Sequence, residues 1–198
     1  RPRSSMSICH LSAGQSLKKA LESHHTILLA PGRHAGGVRI EKSVKIIGEI
    51  GAIIEGDGDS PTIWISGDGI NVALSGLCIE QGAAEFGSGV LIDAYADVTI
   101  ESCRLKDNLM GLGGGAGMGV LLGRATLKDC RFEDKQDAFV SNIGKATFSN
   151  CALLGGLSVY EGGQVQISGG EIKGKLSMRG SSSRQPHALI DGSSIDDI

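Results

Sequence analysis

One short pattern recurs along this chain and constrains its fold more than any other feature. It reads apolar-x-apolar, then two small or polar residues, then apolar-x-apolar. Copies are VALSGLCI from Val72, VTIESCRL from Val98, ATLKDCRF from Ala125, ATFSNCAL from Ala146, VQISGGEI from Val165 and ALIDGSSI from Ala188, with a looser copy from Val44. The starts lie between 19 and 28 residues apart. Alternation with period two on both sides of a two-residue bend means two short strands, B and C. Strand B then points Val72 and Leu74, Val98 and Ile100, Ala125 and Leu127, Ala146 and Phe148, and Val165 and Ile167 inward. Strand C points Leu77 and Ile79, Cys103 and Leu105, Cys130 and Phe132, Cys151 and Leu153, and Gly170 and Ile172 inward. A third strand, A, precedes each B, over 63–65, 90–92, 120–122, 139–141, 157–159 and 176–178.

Three short strands per repeat describe a coil. Stacked coils set equivalent strands side by side about 4.8 Å apart as parallel ladders. No coil buries its apolar residues alone, and its neighbours complete it. Each inward Val, Leu or Ile contributes roughly 1.5–3 kcal/mol once buried. Gly makes up 31 of the 198 residues, which suits corners that need positive φ. With only 4 Pro and no three-residue period, a collagen-like chain is excluded.

With these repeats the chain resembles the right-handed parallel β-helix of the pectate-lyase-like superfamily. The expected fold is all-β: a single-stranded right-handed parallel β-helix, a solenoid of about seven coils with three short strands each, with an N-terminal capping α-helix. The opening supports the resemblance. GQSLKKALESHH is amphipathic, with Leu17, Ala20 and Leu21 on one face. TILLAPGRH and VRIEKSVKIIGE then read as strands around a Pro-Gly turn. The domain reading is an N-terminal extension over 1–13, a capping helix over 14–25 and a parallel β-helix over 26–198. The last readable coil closes at Ile195 with no cap after it, so the chain is expected to be a fragment of a longer protein, or its end covered by another subunit.

Net charge is −3 with a pI near 6.0, which argues against nucleic acid and anionic membrane as partners. No apolar run approaches the length of a bilayer span. No signal peptide is visible, although a chain that starts at Arg1 is open to trimming. Cys103, Cys130 and Cys151 share one inward column without metal-binding spacing, and are expected as buried free thiols. Cys9 and Cys78 lie off it, and an odd total of five leans towards a reducing, intracellular compartment such as the cytoplasm. No cofactor and no metal are expected.

The B-to-C bend is constant, whereas the C-to-A loop grows most, over 81–89 and again over 106–119. Insertions on one edge of a solenoid mark its working edge. The resemblance implies the same place, because the superfamily's enzymes use the outer face of strand A as their cleft. The outward residues there are Trp64, Leu91, Leu121, Val140, Ser158 and Ser177; a one-residue shift would turn Val90, Ile92, Val120 and Leu122 outward instead. Either way the face is apolar. A cleft that cuts acidic polysaccharide needs carboxylates for Ca²⁺ or acid-base work and a basic residue for substrate. An apolar stripe is better covered by the 109–119 loop or by another protein.

Other motifs have plain explanations. Gly111-x-Gly113-x-x-Ala116 matches a dinucleotide fingerprint, but no helix follows it. EGDGDS at 55–60 lacks the spacing and closing Glu of a Ca²⁺ loop and reads as a solvated turn. His24 and His25 are expected to end the helix, where positive charge suits the dipole. Thr99, Thr126 and Thr147 form one outward column, too short for an ice-binding array. Arg104 and Arg131 are expected to pair locally, with Glu101 and Asp129 nearby.

The functional reading is a non-catalytic binding or scaffold module that takes another protein, or another domain of its own chain, through Trp64, Leu91, Leu121, Val140 and the adjacent Asn108. End-to-end or face-mediated self-association fits the same surface. The alternative is a carbohydrate-binding or carbohydrate-active domain of the lyase, hydrolase or epimerase type, with Asp107, Asn108, Asp134, Lys135 and Asp137 on the loop edge and a glycan as partner.

Overall fold

The structure is a computed structural model that describes residues 8–82, 88–108, 116–134, 136–141 and 143–195; the side chains of 116–119, 136, 137 and 195 lie outside that description. The chain winds as a parallel β-solenoid of about seven coils. The A strands form a seven-stranded sheet: Val38–Ile40, Ile63–Ile65, Ser88–Ile92, Ala116–Val120, Gln136–Val140, Leu157–Tyr160 and Leu176–Arg179. The B and C strands merge into a 15-stranded sheet, because Lys145–Leu153 and Gln164–Ile172 run unbroken through the bend. Every coil-to-coil pairing of named strands is parallel; in the B column, for example, Val98 lies against Val72 on one side and Ala125 on the other.

The interior is a set of stacked columns. Val72, Val98, Ala125, Ala146 and Val165 make one, and Leu74, Ile100, Leu127, Phe148 and Ile167 the next, all buried. All the expected inward side chains of B and C from Val72 to Leu153 are buried. Volume is traded within a coil. Phe132 and Phe148 meet edge to face at 6.2 Å between centroids, in the coils where Ala125, Ala138 and Ala146 take the smaller positions. The Cys103, Cys130 and Cys151 column is buried and all five cysteines are free thiols. Burial pushes the Cys103 thiol up to about 11. The hydrogen bond with Cys151, together with burial, pushes Cys130 up as well.

From Val72 onward the B-to-C bend repeats because its second residue is left-handed in each coil; the earlier bend between Val44–Gly48 and Ala52–Glu55 is longer. Gly76, Ser102, Asp129, Asn150, Gly169 and Gly192 all have φ between 52° and 66°. That conformation is open to glycine and, less readily, to short polar residues that bond locally. The amides of Gly76, Ser102 and Asp129 donate to the carbonyls of Glu101, Lys128 and Ser149 one coil on. Asn150 Nδ2 donates to Asp129 Oδ1 at 2.6 Å, which ties two bends together.

The N-terminal end departs from expectation in detail. Ile8–Leu11, read as part of an extension, is a strand paired in parallel with Thr26–Leu29. The helix is shorter than 14–25: it spans Leu17–Ser23, with Ser16 capping it by accepting from Lys19 N–H at 3.3 Å. Leu17, Ala20 and Leu21 are buried in the common core. His24 is already extended, so neither His24 nor His25 lies in the last helical turn. No described helix is long and apolar enough to cross a membrane.

The bend gives a direct test. Asn150→Val should lower stability by about 1–3 kcal/mol, because a β-branched residue resists positive φ. Asn150→Gly should cost under about 1 kcal/mol, since only the bond to Asp129 is lost. Urea denaturation with an unchanged m-value checks both; equal losses would place the effect in the hydrogen bond rather than the backbone.

Candidate functional site

Two outward columns run along the A sheet. The first is Arg39, Trp64, Leu91, Gly119, Phe139, Ser158 and Ser177, aligned by strand register. Arg39 stacks over the Trp64 ring at 4.8 Å, donates to Ser66 Oγ at 2.7 Å and pairs with Glu41. Trp64 is half-buried with its Nε1 lacking a hydrogen-bond partner, and Leu91 is only 3% exposed. The second column follows the strand ends. Leu121 N–H donates to Ile92 carbonyl and Ser141 N–H to Val120 carbonyl, while Tyr160 and Arg179 are register partners. Between the columns lies a shallow groove of about 390 Å³, lined by Leu121, Phe139, Ser141, Tyr160, Glu161, Arg179 and Gly180.

The expected residues distribute unevenly. Trp64 and Leu91 stand in the first outward column and Leu121 one position past its strand, in the groove. Val140 does not face out. It is fully buried, level with Ile92, Val120 and Val159 in the interior, and Phe139 takes the outward place. Pointing Phe139 and Ser141 inward would have buried a serine; pointing Ala138 and Val140 inward buries none. The strand read over 120–122 is Ala116–Val120, so residues 116–119 are strand rather than loop. Residues 109–115 of the expected covering loop, including Gly111 and Gly113, lie outside the described residues. Sequence reasoning missed Phe139, Tyr160, Glu161 and Arg179 as a group, although the polar Ser141 carried the signal for the first.

The C-to-A corner brings some of the alternative residues together. Asp107 is exposed, left-handed at φ 54° and paired to Lys106 Nζ at 2.9 Å. Asn108 is buried and links three coils: its Oδ1 accepts from Gly82 N–H at 2.9 Å, and its Nδ2 donates to Asp134 Oδ2 at 3.2 Å and Ile79 carbonyl at 3.3 Å. Asn108 N–H also donates to Asp134 Oδ1 at 2.8 Å. A Cβ on Gly89 would meet the Asn108 carboxamide at 2.8 Å, so the neighbouring strand is shaped around it. Burial raises the Asp134 carboxyl to about 6 against these hydrogen bonds, with Asp107 and Glu133 adding to the rise. A raised carboxyl is the property of a catalytic acid. Here, however, both oxygens are engaged by Asn108 inside the wall. Lys135 lies outside the described residues; Asp137 belongs to the strand Gln136–Val140, but its side chain is outside them.

Several carboxylates elsewhere are committed to structure. Glu80 bonds Arg33 at 2.6 Å and Lys106 at 3.0 Å. Burial pushes its carboxyl up, but those bonds outweigh it and hold it below the usual range. Glu133 joins Arg104 and Arg131, and the hydrogen bond from Arg131 lowers it. The two arginines therefore pair with Glu133; Glu101 and Asp129 pair with Lys128. Asp57 accepts from Asp59 N–H and from Ser60, which closes the expected turn. At the A face the exposed carboxylates Glu41, Asp93 and Glu161 each follow an A strand: Glu41 and Asp93 lie two coils apart and Asp93 and Glu161 three, roughly 10 and 14 Å at about 4.8 Å per coil, and Glu41 is already paired with Arg39. Paired glycosidase carboxylates stand about 5–9.5 Å apart. Among the described residues no group of three His, Cys, Asp or Glu side chains could hold a metal ion.

No family model matches the chain, and no curated protein matches it in sequence. Among solved structures it is similar to the crystal structure of pectate lyase Pel9A, with a TM-score of 0.52 and 13% identity over 96% of this chain and 78% of that one. At that identity the likeness is one of fold, and the fold is the parallel β-helix.

Asp134 should leave a signature in acid. Its folded carboxyl sits near 6 against about 4 unfolded, so between those pH values the native state binds more protons than the unfolded chain. Its contribution to stability is therefore present below about pH 4 and is lost as pH rises through 6. Relative to Asp134→Asn, the protein should gain on the order of 1–3 kcal/mol between pH 7 and pH 4.5. Glu80, Glu133 and Asp57, all shifted down, act below that window. Urea titrations of both proteins across the range check this.

Proposed function

We propose that this chain is a non-catalytic β-helix module that binds another protein, or another domain of a longer chain, through the outer face of the A sheet. One observation carries the reading. The central outward column offers half-buried Trp64 and Phe139, with Leu91 buried between them and serines beyond, while the buried carboxylates Glu80 and Asp134 are engaged in the C wall and the corner. Half-buried aromatic rings with polar neighbours are the composition of interface centres. Catalysis on an acidic sugar would instead require convergent charge at that column.

A second reading has a specific observation behind it. Phe139 and Tyr160 flank a groove that also holds Glu161 and Arg179. Ring faces with one carboxylate and one guanidinium suit a sugar. The two readings separate by experiment. A photo-crosslinking residue at position 139 or 160 should capture a partner polypeptide or neighbouring domain, while the same residue at position 99 on the B face should not. Phe139→Asp should abolish that capture with the fold intact. Incubation with polygalacturonate and other polysaccharides should release no new reducing ends. Depolymerisation lost in Asp107→Ala, or a glycan-array signal lost in Tyr160→Ala, would replace the first reading by the second.

A further inference from the structure

The corner between the A and B sheets carries a feature that neither reading uses. Arg124 and Lys145 are direct register partners on adjacent strands, both exposed. Like charges opposite one another in a sheet repel. On the C face the comparable cations Arg33, Arg104, Lys106 and Arg131 are each matched by a carboxylate. Arg124 and Lys145 have no ion pair among the described residues. The nearest acids do not supply one. Asp97, the register partner of Arg124 on its other side, offsets part of the Arg124 charge without forming an ion pair with it, and Asp68 accepts from Tyr95 N–H at 2.8 Å. The column continues with Gln164 and His187, both exposed.

These cations line a cavity of about 370 Å³. Tyr95 and Ile143, 58% and 49% exposed, are among the large apolar side chains most open to solvent, and both belong to its lining. Gly123 and Gly162 also line it and add no side chains to fill it. Gln164 adds a carboxamide donor. One recess thus combines two cations that form no ion pair among the described residues, an amide and an exposed ring.

We propose that this recess binds a phosphate monoester carried on a flat ring. The phosphate sits between Arg124, Lys145 and Gln164, and the ring lies against Tyr95 and Ile143. A phosphate monoester carries close to two negative charges at neutral pH, which matches two cations; a carboxylate or a sulfate ester carries one. Its oxygens accept a guanidinium fork and an ammonium together. The ring contact supplies what a free anion lacks.

The test is titration of the full chain with phenyl phosphate, inorganic phosphate, phenyl sulfate and benzoate, followed by NMR and calorimetry at low salt. Phenyl phosphate should bind about 10-fold more tightly than any of the other three. Lys145→Glu and Arg124→Gln should each weaken it by about 10-fold or more. Tyr95→Ala should reduce phenyl phosphate to the level of inorganic phosphate and leave inorganic phosphate unchanged. All three side chains are exposed, and unchanged melting temperatures confirm intact folds. Absence of saturable binding, equal affinity in Lys145→Glu, or benzoate binding as tightly as phenyl phosphate would overturn the proposal.

Discussion

The burial of each coil depends on the coil beside it. An inward Val98 or Ile100 is covered by Val72 and Leu74 on one side and by Ala125 and Leu127 on the other. The parallel ladders hold those partners level, so hydrophobic burial and backbone hydrogen bonding act along the same axis. The left-handed bend keeps the columns in phase from coil to coil. Its six residues share one conformation, and three of their amides donate across to the next coil. A slip of one residue there would turn a whole inward set outward.

Because those demands act on inward positions, the outer faces are free to differ. The C face is an ion-pair lattice centred on Glu80 and Glu133. The A face is aromatic and apolar, from Trp64 under its Arg39 lid to Phe139 and Tyr160. The A-to-B corner sets Arg124 against Lys145, neither with an ion pair among the described residues. The C-to-A corner buries a polar ladder of Gly82, Asn108 and Asp134. Fold likeness to a pectate lyase therefore speaks to the coiled fold and leaves the chemistry of each face to be argued from its own residues.

The B and C strands from Val72 onward were legible because their bend does not vary in length there. Two alternating sets locked at a constant offset leave one phase that buries every apolar member. Strand A has no such lock. Its flanking loops change length from coil to coil, so each A strand had to be phased alone. Setting the strand at 139–141 turned Val140 outward, although Ala138 and Val140 align with Val90 and Ile92 through the register. The first strand, Ile8–Leu11, was hidden for a related reason: it stands outside the repeat and gains its meaning only by pairing with Thr26–Leu29. Asp134 was legible as a residue on the loop edge but not as a buried one, since its burial rests on Asn108, which lies 26 residues away in the chain.

Sequence alone determined the coil: its period, its interior columns, its stacked thiols and its helical plug, all of which follow from local alternation and composition. Tertiary structure alone decided which side chains meet on the outside. Register sets Arg124 against Lys145, Phe139 beside Tyr160, and Asn108 across Gly82 and Asp134. The reason is that burial is signalled by each residue's own polarity, whereas an outer face is assembled from residues about one coil apart. Their alignment depends on loop lengths that no local pattern encodes.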